Sequence, residues 1–151
     1  MLHAMHESTS GNYLLSTDKQ RLDVDTIHRF LTESSTWARG IPRETVEEAI
    51  RNSLCFGLYR DGAQLAFCRI ITDGATSGHL ADVFVLPEQR GRGLSKMLMH
   101  FVMAHPLILR LRRFTLATSD AHGLYEKSGF RALGKPETFM EIHQPDIYRP
   151  A

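Results

Sequence analysis

A chain of 151 residues suits one domain, spanning 1–151, and leaves little room for a second. At 42% hydrophobic and 23% charged it reads as an ordinary globular protein that needs no disulfide or metal staple. A net charge of +1, from 18 Lys+Arg against 17 Asp+Glu, argues against a nucleic-acid coat and an acidic disordered tail, so any basic site is local.

The stretch through Asn12 is polar, with no basic region leading into an apolar run. No segment approaches the ~20 apolar residues of a membrane span. A cytoplasmic protein without a membrane partner is expected, with His3 and His6 in a frayed terminus. Tyr13 to Ser16 predicts a first short strand. Asp23 or Asp25 can cap a helix through about Glu33, with Ile27, Phe30 and Leu31 on one face. A loop follows that carries Trp37 and Arg39, and then a helix to about Asn52 with Val46, Ala49 and Ile50 as its apolar stripe.

Ser53 to Arg60 and Ala63 to Thr72 predict a hairpin about Asp61-Gly62. A regular two-residue turn sets Leu58 opposite Leu65, Phe56 opposite Phe67 and Cys55 opposite Cys68. That register predicts two reduced, buried thiols side by side, with a cross-strand disulfide as the alternative. His79 to Leu86 predicts a strand ended by Pro87. Leu94, Met97, Leu98, Phe101 and Val102 recur at helical spacing up to Pro106. Arg113 to Thr118 predicts a strand, Ser119 or Asp120 can cap a short helix through Lys127, and Gly129 ends it. Phe130 to Leu133 and Thr138 to Ile142 read as closing strands. The fold class expected is α+β in three layers, α/β/α. Its central sheet is mixed, mostly antiparallel, with about six to seven strands and four helices.

The run Val83-Phe84-Val85-Leu86-Pro87-Glu88-Gln89-Arg90-Gly91-Arg92-Gly93-Leu94-Ser95 carries the most chemistry. A strand enters a glycine-punctuated turn and then an amphipathic helix, whose first amides lack intrahelical partners and whose dipole favours an anion. Glycines allow close backbone approach, and Arg90 and Arg92 add charge, which together suit a phosphate or pyrophosphate. A Walker loop would need Lys-Ser/Thr after Gly93, where Leu94 stands, and a dinucleotide fingerprint would need a third glycine. No metal-ligand spacing occurs among the eight histidines and two cysteines, so no metal is expected.

This turn resembles the phosphate-binding signature of the GNAT superfamily of acyl-CoA N-acyltransferases, Gln/Arg-x-x-Gly-x-Gly/Ala, with Arg90 and Gly93 in place and Ser95 departing at the last position. Downstream, Ala121-His122-Gly123-Leu124-Tyr125-Glu126-Lys127-Ser128-Gly129-Phe130 is similar to the superfamily's Ala-x-x-Leu-Tyr-x-Lys-x-Gly-Phe. Thr118 stands where many members have a pantetheine-contacting asparagine. The resemblance covers about Ser53 to Phe130 and implies acetyl transfer from acetyl-CoA to a primary amine of a small molecule or peptide.

It implies backbone contacts to pantetheine from the strand at Phe84 and Val85, where the sheet splays. It implies pyrophosphate binding by Arg90, Gly91, Arg92, Gly93, Leu94 and Ser95, and a place near the thioester for Tyr125, with His122 beside the pantetheine channel. Tyr125 would protonate the leaving thiolate, unless its ring is only packing. The base is open among His79, Asp82 and His122; His79 and Asp82 fall on opposite faces unless a bulge intervenes. Trp37 and Arg39 are the acceptor-binding candidates, with a core plug and a solvated arginine as the plain readings. The partners implied are acetyl-CoA and an amine, with a homodimer left open. The competing function is a non-catalytic acyl-CoA-binding or sensing module on the same fold.

Overall fold

The computed structural model describes residues 4–150, and His3 lies outside them. Six strands form one sheet in chain order: β1 Glu7–Ser10, β2 Tyr13–Ser16, β3 Leu54–Arg60, β4 Ala63–Thr72, β5 Ser77–Val85 and β6 Arg113–Thr115. Neighbours are antiparallel except β5 and β6, which are parallel. Parallel strands need a long crossover. Here it contains α3 Leu94–Met103 and the single turn α4 Pro106–Leu109. α1 Val24–Arg29 and α2 Arg43–Arg51 precede β3, and α5 His122–Glu126 follows β6.

Local chemistry sets the boundaries. Asp23 caps α1 by accepting from the Thr26 N–H at 3.1 Å, and the helix loosens into a π turn over Phe30–Ser34. Asp61 and Gly62, with φ of 52° and 80°, make the left-handed pair that a tight hairpin turn requires. Asp73 Oδ1 gathers the N–H groups of Ala75, Thr76 and Ser77 and so closes the next turn.

The sheet is covered on both faces. Phe56, Leu58, Cys68, Ile70, Leu80 and Val85 pack under α3, α4 and α5, with Leu94, Leu98, Met99 and Val102 of α3 as their partners. Cys55, Phe67 and Phe84 pack on the other face with Ile27, Phe30, Val46 and Ile50 of the α1–α2 layer. Each fully buried aliphatic side chain stabilises the fold by about 1.5–3 kcal/mol. The three-layer α+β architecture with a mixed sheet is therefore present.

Four details differ from the sequence reading. The predicted closing strands at 130–133 and 138–142 do not form; Met140 and Ile142 are 96% exposed. The sixth strand is instead β1, whose Glu-Ser-Thr-Ser is exposed throughout and pairs through its backbone, with Ser16 Oγ also donating to Glu7 Oε2 at 2.6 Å. His6 is accordingly not frayed: its N–H donates to Thr17 Oγ1 at 2.9 Å and its ring lies 4.4 Å from that of His105. The α5 entry is bracketed by Thr118 Oγ1, which accepts from the Ala121 N–H, rather than by Ser119 or Asp120.

The fourth difference is register. The β3–β4 pairing slips between Leu58 and Tyr59, leaving Leu65 as the extra residue, with its carbonyl taken by the Leu86 N–H at 2.9 Å. Leu58 then faces Ala66, Gly57 faces Phe67, and Phe56 faces Cys68. Cys55 and Cys68 are both free and buried, as reduced thiols, but they lie on opposite faces of the sheet rather than side by side. Burial pushes the Cys55 thiol up to about 11 and Cys68 well above its usual value, which makes both inert.

Candidate active site

β5 supplies the frame. It pairs with β6 only from Ser77–Arg113 to His79–Thr115, and then continues alone on that side to Val85. The two strands part at His79, whose Nδ1 lies 2.9 Å from Thr115 Oγ1. Beyond this vertex β5 bulges. Phe67 faces Phe84 and Arg69 faces Ala81, so one residue of β4 is set against two of β5. Asp82 takes the strain, with a left-handed φ of 55°. The extra residue puts His79 and Asp82 on the same face, that of α1 and α2.

Both oxygens of Asp82 are engaged. Arg69 Nε donates to Oδ2 at 2.6 Å and Trp37 Nε1 donates to Oδ1 at 2.8 Å. The Arg69 and Asp82 side chains are only 18% and 11% exposed, and Arg69 Nη1 also donates to Ser53 Oγ at 3.0 Å. Trp37 does not plug the core. It is 49% exposed, its ring tilted against that of Phe30 at 6.3 Å, and Phe30 stacks on Phe84 at 4.1 Å. Arg39 is exposed and makes no ion pair among the described residues. His79 is held below the ordinary histidine value by desolvation against the sheet and by the Arg69 guanidinium. Between α2 and β4 a cleft of about 450 Å³ is lined by Glu44, Glu48, Ser53, Arg69 and Ile71, and Ile71 is the cross-strand neighbour of His79.

Tyr125 approaches from the other face. It belongs to the buried cluster that also holds Cys68 and Val85, and its ring meets that of Phe130 edge-on at 6.0 Å. Burial raises its phenol above the ordinary value, helped by Cys68 and Asp120. His122 is exposed one turn earlier. The vertex and the bulge lie where the sheet opens, on the α1–α2 face, and Tyr125 is buried in the layer on the opposite face.

At its carboxyl end β5 leads into the glycine turn. Gly91 and Gly93 have φ of 80° and 76°, and a Cβ on either would meet no atom within 4 Å. α3 starts at Leu94 with no side chain capping it, so its first amides are open. Leu94 is buried, as are Phe84 and Val85, so these three offer only backbone. Arg90 folds back, its Nε donating to the Val85 carbonyl at 3.3 Å, while Arg92 is exposed and unpaired among the described residues. A groove of about 910 Å³ starts at Gly93 and runs between α3, α5 and β1, past Lys96 and Lys127; none of Trp37, His79, Asp82 or Tyr125 lines it.

Sequence reasoning missed Arg69 and Ser53. The signal was a charged residue inside the otherwise apolar Leu65-Ala66-Phe67-Cys68-Arg69-Ile70-Ile71, since an arginine there must find a partner.

A mixed sheet that opens beside a bulge, with an uncapped glycine turn at the end of the same strand, is an arrangement suited to a phosphate-bearing group. The family model described as the acetyltransferase (GNAT) domain matches residues 51–132. A solved structure from Xanthomonas campestris pv. campestris, assigned to the same family, is 49% identical, covers 99% of this chain and 100% of its own, and superposes with a TM-score of 0.88. A Gibberella zeae protein named as an acetyltransferase is 36% identical over 143 residues, covering 80% of this chain and 79% of that one. N-acetylglutamate synthase from Neisseria gonorrhoeae, solved with coenzyme A and L-arginine, shares the fold alone, at 17% identity and a TM-score of 0.61 over 89% of this chain and 28% of its own. The chain belongs to the GNAT acetyltransferases.

Proposed function

We propose that the protein transfers the acetyl group of acetyl-CoA to a primary amine of a small molecule or peptide, by direct attack with both substrates bound. One observation carries the reading: β5 parts from β6 at His79, bulges at Asp82 and ends in an uncapped glycine turn. The turn fits the diphosphate of coenzyme A, because its glycines leave the approach to the α3 amides clear. Gly91, Gly93 and the amides of Leu94 and Ser95 would hold it, with charge from Arg92 and, after release from Val85, Arg90. The free edge of β5 at Phe84 and Val85 offers backbone partners to pantetheine, and His122 borders that path. Acetyl-CoA supplies the acetyl group as a thioester.

An ammonium must lose a proton before it can attack a carbonyl. His79 is the better acceptor of that proton. If Nδ1–H donates to Thr115 Oγ1, the Nε2 lone pair is free, and the lowered pKa keeps the ring neutral. Asp82, the other candidate, already accepts two strong hydrogen bonds. A backbone N–H beside the bulge is the donor for the developing oxyanion. Tyr125, kept protonated by burial, gives the thiolate its proton from the opposite face. Trp37 and Arg39 border the acceptor: the exposed indole offers a face to a cation or alkyl chain, and Arg39 offers a partner to a carboxylate. Two buried thiols that cannot meet fit a reducing compartment, and we place the protein in the cytoplasm.

The test is free-thiol release from acetyl-CoA across a panel of small amines and peptides. Release that depends on the amine is expected. Tight coenzyme A binding with no release across the panel would instead favour a binding module.

A further inference from the structure

The loop between α1 and α2 meets the sheet through one side-chain hydrogen bond among the described residues, Trp37 Nε1 to Asp82 Oδ1. Its other bonds are internal to the helical layer: Ser35 Oγ to the Leu31 carbonyl, Ala38 N–H to Ser35 Oγ, and Gly40 N–H to the Thr32 carbonyl. The acceptor side of the loop is therefore tied to the split strand by one polar contact, beside the apolar packing of Phe30, Ala38 and Ile41 with Phe67 and Phe84. Asp82 is itself in an uncommon state, a non-glycine residue with a φ of 55°. Such a conformation persists only where its surroundings over-determine it.

Arg69 is the more buried of the two partners that hold the Asp82 carboxylate. The guanidinium lies beneath Asp82 and spans two elements, donating through Nε to Asp82 Oδ2 and through Nη1 to Ser53 Oγ. Ser53 is nearly fully buried and is fixed at the exit of α2, where its N–H donates to the Ile50 carbonyl at 3.3 Å. A continuous set of contacts thus runs from the α2 exit through Arg69 and Asp82 to Trp37. We propose that Arg69 is a positioning residue that, through Asp82, latches the Trp37 loop over the bulge and so sets acceptor affinity without moving a proton or binding coenzyme A. The inference rests on the acetyltransferase reading for its kinetic consequence but not for its structural one.

Arginine is required because a rigid planar fork can hold two fixed acceptors at once, whereas an ammonium acts as a point charge. Trp37 is the only tryptophan in the chain, so its emission reports the latch directly. The experiment compares wild type, Arg69→Met and Arg69→Lys in three measurements: acrylamide quenching of Trp37, calorimetric titration with coenzyme A, and acceptor KM and kcat. Arg69→Met should make Trp37 more quenchable and leave coenzyme A affinity unchanged. Measured well above the histidine range, where His79 stays neutral even without the Arg69 charge beside it, acceptor KM should rise by about tenfold with little change in kcat, a loss on the scale of one charge-assisted hydrogen bond. Arg69→Lys should fall between the two.

Unchanged quenching in a folded Arg69→Met, or a fall in kcat with KM unmoved, overturns the proposal. Should Arg69→Met not fold, Ser53→Ala removes one of the two acceptors that orient the Arg69 guanidinium while leaving Trp37 and Asp82 in place. Greater quenching of Trp37 with a smaller rise in KM is then expected, and unchanged quenching overturns the latch. If no amine in the panel is acetylated, the function proposed above fails, and the quenching measurement alone still decides whether Arg69 holds the loop.

Discussion

The glycine turn at the end of β5 and the corner at Asp82 share a strand, yet they are built in opposite ways. The turn is local. Its shape comes from Gly91 and Gly93 in left-handed conformations, and its donors are backbone amides left open because α3 begins there. The corner is assembled at long range, from Trp37, Ser53, Arg69 and Asp82, which four separate segments contribute. A local backbone site tolerates exchange of the side chains around it but not of the residues that set its φ. A corner made of side chains has the reverse sensitivity. Substrate affinity and chemistry should accordingly separate along this one strand.

Tyr125→Phe tests the chemical half most severely. Loss of the phenolic proton should lower kcat by about 10²–10⁴-fold while coenzyme A binds as before, read by thiol release and calorimetry. Full turnover would leave Tyr125 as packing alone. Gly93→Val tests the other half. No neighbour lies within 4 Å of the added Cβ, so the damage is to the backbone, where a left-handed β-branched residue is strained by roughly 1–2 kcal/mol. Coenzyme A affinity should fall about tenfold, with kcat at saturation preserved. A variant that binds normally and turns over slowly would erase the distinction.

The acid limb of the pH–rate profile comes next. His79 is depressed in the folded protein, so it stays neutral to lower pH than a free histidine, and kcat/KM should hold until below the ordinary value of about 6.5. Under that point it should fall about tenfold per pH unit, and the limb should vanish in His79→Gln. Tyr125 is shifted upward, so its ionisation should cause no alkaline loss below the usual tyrosine value. The smallest effect is expected far from both sites. Met140→Ser and Ile142→Ser should change stability by less than about 0.5 kcal/mol in denaturant melts, because their side chains contact almost nothing. A larger loss would mean that 138–142 is a strand after all.

The same contrast explains what could be read from the chain. β3, β4, β5, α3 and the glycine turn were legible because their signals are periodic and contiguous. β1 was invisible, since Glu-Ser-Thr-Ser has no apolar face and pairs through polar groups alone. The 138–142 segment has strand-like residues but no neighbour to pair with. The two irregularities, at Leu65 and Asp82, were hidden for another reason. An inserted residue leaves composition and alternation unchanged over the few positions on either side, and its place is decided by partners elsewhere, Leu86 in one case and Trp37 with Arg69 in the other. That is why the reading set the cysteines side by side, and left the relation of His79 to Asp82 open.

The bulge has one more consequence: β5 is read in two phases. Up to Ala81 its odd-numbered residues look toward α1 and α2, as His79 does; past Asp82 the even-numbered ones do, as Phe84 does. A deletion at position 82 would therefore act less as a shortening than as a rotation, turning either the vertex histidine or the Phe30–Phe84 stack into the wrong layer. Any residue-by-residue transfer of roles between this strand and a relative's holds only on the side of the insertion where the two have been brought into step.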